Sequence, residues 1–230
     1  MTELRLAYLD AMGIPSWVLR DRVVYDSNST ADETAAGDAR VGERRTALQT
    51  LEATVASCES CALHRTRTQT VFGVGNPSAD LLIVGEAPGA DEDRQGKPFV
   101  GRAGQLLNRM LAAIQLSREQ VYIANVLKCR PPNNRDPKPE EATACNAFLE
   151  RQIELIEPRV ILAVGRISAQ WLLQSDRPIG SLRGVAHRFG ADGIALVATY
   201  HPAYLLRSPK AKAKAWQDLI LVSRLLQASR

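Results

Sequence analysis

The amino-acid sequence predicts an α/β fold, a three-layer α/β/α sandwich on a central, mostly parallel four-stranded sheet. Four short runs carry this reading, residues 81–84, 121–126, 160–164 and 194–198, each apolar at nearly every position. Strands buried on both faces read that way, and burial on both faces marks a parallel sheet covered by helices. The runs alternate with segments of helical periodicity at residues 104–116, 139–157 and 167–174, with a last helix over about residues 209–226. Such alternation builds strand–helix–strand crossovers. Local punctuation agrees: Gly85 and Gly165 end two of the runs, and Pro139 stands where a helix would start.

Upstream, the pattern changes. Residues 4–22 set Leu6, Leu9, Met12 and Ile14 ahead of Trp17, Val18 and Leu19, which reads as a short helix, a break at Gly13 and a brief extended piece. Residues 26–43 are polar, Ala-rich and Gly-punctuated, the composition of a flexible linker. The expected organisation is an amphipathic docking segment over 1–25, a linker over 26–43 and a folded domain over 44–230 that opens with a helix up to Ser57. No run approaches the roughly 18 apolar residues of a membrane span. The opening Met1-Thr2-Glu3-Leu4-Arg5 lacks the basic-then-apolar pattern of a secretory signal. A cytoplasmic, monomeric protein with no membrane partner is expected.

Charge is unevenly distributed. Residues 1–57 hold six Lys/Arg against nine Asp/Glu, whereas residues 58–230 hold 23 against 16. Arg207, Lys210, Lys212 and Lys214 fall in a stretch with no acidic residue between Asp192 and Asp218. A polyanion partner fits this asymmetry, as does a solvated helix face.

Four cysteines are the whole thiol content: a Cys58-x-x-Cys61 pair, Cys129, and Cys145 after fifteen intervening residues. A reducing compartment disfavours disulfides. Four thiolates suffice for one tetrahedral zinc site or one iron–sulfur cluster, and spacing alone does not separate the two. His64 is a fifth candidate ligand that a complete set of four does not need. Cys129 and Cys145 also bracket the polar, Pro-rich loop from Arg130 through Arg135 to Pro137.

Open α/β sheets bind ligands beyond the carboxyl ends of their strands. Four features stand there. Gly85-Glu86-Ala87-Pro88-Gly89 offers backbone N–H groups at a turn, and is neither a phosphate-binding Walker loop nor a dinucleotide fingerprint. Asp91, Glu92 and Asp93 follow it, too close in sequence to face one metal ion together, so a solvated loop or local capping is expected. Phe99 sits in the loop Gly96-Lys97-Pro98-Phe99-Val100-Gly101, where an aromatic ring can stack on a planar ligand. Asn125 ends an apolar strand and needs partners for its amide. His201 follows the last strand directly and precedes Pro202, whereas His187 falls on an expected edge strand.

Taken in order, these segments resemble the family 4 uracil-DNA glycosylases, the iron–sulfur type of bacteria and archaea. The resemblance covers about residues 51–226. It is carried by Cys58-x-x-Cys61, Val71-Phe72-Gly73-x-Gly75-Asn76-Pro77, the Gly85–Gly89 turn and the Phe99 loop. It continues through Asn125-Val126-x-Lys128-Cys129-Arg130-Pro131-Pro132, Cys145 and His201-Pro202-Ala203-Tyr204-Leu205-Leu206.

The resemblance implies a DNA-repair enzyme that flips uracil out of DNA, single- or double-stranded, and hydrolyses its N-glycosidic bond. It implies a [4Fe–4S] cluster on Cys58, Cys61, Cys129 and Cys145, with zinc as the alternative. Gly85, Glu86 and Ala87 would cradle the base, Phe99 would stack on it, Asn125 would read its edge, and His201 would stabilise charge on the leaving uracil. Family 1 relatives carry a water-positioning aspartate in the equivalent turn, where this chain has Ala87. Glu86 is the substitute expected to orient water. Leu205 is expected as a wedge into the DNA, with Arg207, Lys210, Arg130 and Arg135 on phosphates, and a nucleoid-associated location follows.

Two other readings remain. A superfamily branch that traps uracil-DNA covalently is expected to carry its histidine in a basic insertion near the site, and no histidine lies between His64 and His187. A non-catalytic iron–sulfur DNA-binding protein would not require Phe99, Asn125 and His201 together. Separately, residues 6–20 weakly resemble the N-terminal motif of the clamp-loader psi subunit, which implies docking on the chi subunit.

Overall fold

Leu82, Val84, Tyr122, Ala124, Ile161, Ala163, Leu196 and Ala198 pack into one buried core, while Leu81, Ile83, Val121, Ile123, Val160, Leu162, Val164 and Val197 pack into another. Successive strand side chains point to opposite faces, so each apolar run feeds two cores, one on either side of a sheet. The computed structural model describes residues 30–228, with side chains from residue 40 onward. The expectations for residues 1–25 lie outside the described residues.

The strands are β1 (Val74–Gly75), β2 (Leu81–Gly85), β3 (Tyr122–Asn125), β4 (Val160–Val164), β5 (Ala186–Phe189) and β6 (Ile194–Thr199), in the order β1-β3-β2-β4-β6-β5. The inner four are parallel and correspond to the four predicted runs. The sheet has six strands rather than four, because β1 and β5 add antiparallel edges. Neither edge advertises itself through an apolar run. β1 is two half-buried residues, and β5 alternates exposed and half-buried positions as a one-sided edge does. His187 lies on β5 as expected.

The helices are α1 (Thr30–Ala56), α2 (Ala90–Gln95), α3 (Arg102–Ala113), α4 (Pro139–Ile156), α5 (Arg166–Leu172), α6 (Ile179–Leu182), α7 (Pro202–Arg207) and α8 (Lys212–Gln227). α1, α4 and α5 cover one face through Leu48, Val55, Leu149, Ile153 and Leu172. α3, α7 and α8 cover the other through Leu107, Leu111, Leu205, Leu219 and Val222. The three-layer sandwich is thus as predicted. α1 begins at Thr30, so residues 30–43 are helical where composition predicted a flexible linker. The alanines that suggested a linker are also the strongest helix formers. Among the described residues, no helix is long and apolar enough to cross a membrane.

The chain places β3 on one side of β2 and β4 on the other. This reversal of direction opens a crevice at the carboxyl ends of β2 and its neighbours, where open α/β sheets bind ligands.

Candidate active site

A cavity of about 460 Å³ occupies that crevice, lined by Glu86, Ala87, Phe99, Asn125, His201 and Tyr204 among others. Every uracil-site residue predicted from the sequence comes to it except Gly85, which lies directly beneath. A methyl group at Gly85 would overlap Asn125 Oδ1 and stand 2.7 Å from the Phe99 ring. The glycine is therefore what lets an amide and an aromatic ring meet at one strand end. The turn above it is stitched to the β3 exit: Val126 N donates to Gly85 O and Leu127 N to Glu86 O, both at 3.0 Å.

Phe99 is buried at a left-handed φ of 52°, a costly conformation for a bulky residue. Three features hold it there. Glu92 Oε1 accepts from Val100 N at 2.9 Å and Gly101 N at 3.1 Å. Arg118 donates to Phe99 O at 3.2 Å and to Pro98 O. Gly104 has no side chain, and a methyl there would collide with the Phe99 carbonyl. Glu92 Oε2 also accepts from Gly89 N at 3.2 Å, the Glu half of a capping box at the start of α2. Asp93 accepts from Thr68 N at 2.9 and 3.1 Å. The acidic trio is thus local scaffolding, as expected. The bracing of Phe99 by Glu92 was not read from the sequence, although the Gly89-to-Glu92 spacing carries the capping signal.

His201 is the N-cap of α7, and its Nδ1 accepts from Ala203 N at 3.2 Å. That bond places the ring proton on Nε2, the nitrogen left to donate. Burial pushes the imidazole down to about 4, Arg207 adds to the shift and Glu92 opposes it. His201 is therefore a neutral donor near pH 7, stacked 5.6 Å from Phe99 between ring centroids. The strand before it is anchored through Thr199, which donates to buried Asp218 at 2.8 Å, and Asp218 pairs with Arg183 at 2.7 Å. Glu86 goes the other way. Burial, reinforced by Asp136 and eased by Arg166, raises its carboxyl to about 7.

The four cysteines line a second, enclosed cavity on the other face of the sheet, with Arg67, Lys128 and Phe148 around it. Cys58 and Cys61 follow α1, Cys129 follows β3, and Cys145 lies on α4. Arg67 Nη1 donates to Cys129 Sγ at 3.2 Å and Lys128 N to Cys145 Sγ at 3.4 Å, the pattern of N–H groups aimed at thiolates. Among the described residues, no three His, Cys, Asp or Glu groups stand close enough to share one metal ion. Four thiols around a common cavity are a donor set for one zinc ion or one iron–sulfur cluster. His64 is not among them; its Nδ1 donates to Cys61 O at 2.8 Å.

The loop between Cys129 and Cys145 reaches the first cavity through Pro131, Asn134 and Arg135. Arg130 bonds Asn134 Oδ1 at 2.7 Å, and Arg135 is held in a two-pronged pair with Glu141 at 2.9 and 2.6 Å. Arg207 lines the cavity mouth, while Lys210 and Arg130 lie outside it. The predicted wedge needs correction. Leu205 is 1% exposed and belongs to the core, whereas Tyr204 and Leu206 are 40% and 39% exposed. Pro202 and Leu205, three residues apart on α7, share its inward face, which turns their neighbours outward.

A family model described as the uracil DNA glycosylase superfamily matches residues 72–220, and the chain belongs to that superfamily. Within it, the similarity runs to the type-4 members. A Type-4 uracil-DNA glycosylase of Archaeoglobus fulgidus is 46% identical over 177 residues, covering 74% of this chain and 89% of that protein. One from Thermotoga maritima is 44% identical over 166 residues, covering 72% and 86%. A Type-5 uracil-DNA glycosylase of Thermus thermophilus is 37% identical over 153 residues, covering 57% and 68%.

Proposed function

We propose that the protein excises flipped-out uracil from DNA by hydrolysing the N-glycosidic bond, leaving an abasic site. The observation that supports it most is the convergence of Asn125, Phe99 and a neutral, proton-donating His201 on one cavity. Asn125 Oδ1 accepts from uracil N3–H, and its Nδ2 donates to O4. Cytosine presents an acceptor and a donor in the reverse places and is rejected. Phe99 stacks on the ring. His201 Nε2–H donates to O2 as the C1′–N1 bond breaks and its electron pair leaves with the base. Preorganised donors aimed at such developing charge act strongly in a desolvated site. Ala87 brings no carboxylate, so bond breaking runs ahead of water attack. The water oxygen then bonds to C1′, and its proton passes to the departed uracil anion, which leaves as neutral uracil.

Glu86 orients that water in its carboxylate form. With the carboxyl near 7, the ionised fraction grows as pH rises through that value. The excision rate is expected to rise with pH through about 7, and Glu86→Gln to be slower with no such limb. A wild-type rate that is flat from pH 6 to 8 would remove Glu86 from the reaction.

The four cysteines suit a [4Fe–4S] cluster, which supplies no step and holds the Cys129–Cys145 loop beside the cavity. Incubation with a uracil-containing oligonucleotide followed by alkali tests the activity, and absence of strand breaks overturns it. Iron and sulfide in the purified protein, lost together in Cys145→Ala, identify the cluster; zinc in their place overturns it. Leu206, flanked by Arg207 and Lys210, fits a wedge that fills the gap left by the base. Extrusion from a duplex costs a few kcal/mol, so Leu206→Ala is expected to slow excision from paired DNA by about tenfold and from single strands much less. Equal losses on both substrates would count against the wedge. A DNA substrate supports a nucleoid-associated location in the cytoplasm.

A further inference from the structure

Lys128 is an ammonium in the protein interior with 1% exposure, on a stretch otherwise made of Val126, Leu127 and Cys129. Burying a charge costs several kcal/mol unless an anion and hydrogen bonds offset it. Its two acceptors are both neutral: Asn125 O at 2.8 Å and Gln152 Oε1 at 2.6 Å. Its own amide donates to Cys145 Sγ, and the next residue is Cys129. Lys128 thus joins the Asn125 carbonyl to Gln152 of α4, beside two of the four cysteines.

Each further bond leads to one of two places. Gln152 is fully buried on α4, two turns beyond Cys145, and its Nε2 donates to Phe72 O at 3.0 Å, so its amide is satisfied at both ends. Asn125 sends its side chain to the cavity and its carbonyl to Lys128. The next two amides, of Val126 and Leu127, are spent on Gly85 O and Glu86 O. A charge-assisted bond on the Asn125 carbonyl therefore completes the fixing of this strand end.

We propose that Lys128 is a positioning residue that braces Asn125 against Gln152 of α4, so that base reading depends on this buried link. The proposal rests on Asn125 reading the uracil edge. A neutral side chain of similar length would pack in the same space but would leave the Asn125 carbonyl without its donor. An amide that must accept and donate on one base edge tolerates little displacement, and misplacement by about 1 Å costs on the order of a hundredfold.

The test is a set of variants in the holoprotein: Lys128→Met, Gln152→Leu, Asn125→Ala, and each of the first two combined with Asn125→Ala. Lys128→Met is expected to keep wild-type iron and sulfide content and wild-type affinity for uracil-free DNA. Its kcat/KM on uracil-DNA is expected to fall by about 10- to 100-fold. Inhibition by free uracil should weaken by a similar factor, and Gln152→Leu should show a smaller loss of the same kind. In the Asn125→Ala background, neither substitution should cost anything more, because the brace acts only through Asn125. Additive losses overturn the proposal, as does wild-type activity in Lys128→Met. If Lys128→Met loses the cluster, Gln152→Leu carries the same test, and loss of the cluster in both makes the network a folding element and overturns the brace. Wild-type activity in Asn125→Ala instead sinks the reading of the base site itself.

Discussion

His201→Ala is expected to lower uracil excision by about 10²- to 10³-fold at neutral pH, the cost of removing one preorganised donor from developing negative charge. The loss should appear in kcat rather than KM, because O2 gains its charge only as the bond breaks. His201→Gln keeps an N–H donor but not the α7 cap, and should fall between the two. The pH dependence has a definite sign. Burial lowers His201 to about 4, from 6.5 in the unfolded chain, so the ring stays neutral until the medium is strongly acidic. Protonation below that puts a hydrogen on Nδ1, which can then no longer accept from Ala203 N. His201 should therefore add no limb of its own near 6.5 to the rising limb of Glu86. The burial also destabilises the fold as pH falls from 6.5 to about 4, where the unfolded chain binds a proton that the folded one refuses. Activity that falls as pH rises through 6.5, with that fall absent in His201→Gln, would show that the ring works as a cation.

Asn125→Ala should cost about 10²- to 10⁴-fold in kcat/KM on uracil-DNA, since it strands N3–H and O4 of a buried base without partners at about 1–3 kcal/mol each. Discrimination should narrow as well. Without the amide, the pocket has nothing to tell a donor at N3 from an acceptor, so the ratio of uracil to cytosine excision should fall alongside the rate. A variant that is slower on uracil yet as selective as wild type would place the reading of the base edge elsewhere. Gly85 limits the repairs available to this corner: its bare Cα is what admits both Asn125 and Phe99, and any side chain there would expel one of them.

Much of this was legible in the chain. The four inner strands were readable because burial on both faces leaves a continuous apolar run, and each run feeds one side chain after another into alternate cores. The edge β1 was not, because two half-buried residues are locally no different from a loop, and β5 was legible only as the edge strand expected at His187. The residues at the cavity were identifiable by their position after a strand: Gly85, Glu86, Ala87, Asn125 and His201 all stand where the sheet ends. Glu92 left a faint trace in its spacing from Gly89. Lys128 left none, since nothing near it in sequence says that its ammonium turns inward to Asn125 O and Gln152.

Sequence alone therefore determined the layers, the parallel core of the sheet, the thiol set and the roster of the cavity, because each depends on local periodicity or on which strand end a residue follows. Tertiary structure decided the rest. It showed that Leu205 faces the core and Leu206 the solvent, that Ala203 fixes the His201 tautomer, and that Arg135 is already paired with Glu141. It also showed that one buried lysine, next to Cys129 in the chain, bonds Asn125 O and Gln152. These facts turn on contacts between residues distant in sequence, or on which way one helical turn happens to face, and no local pattern encodes either.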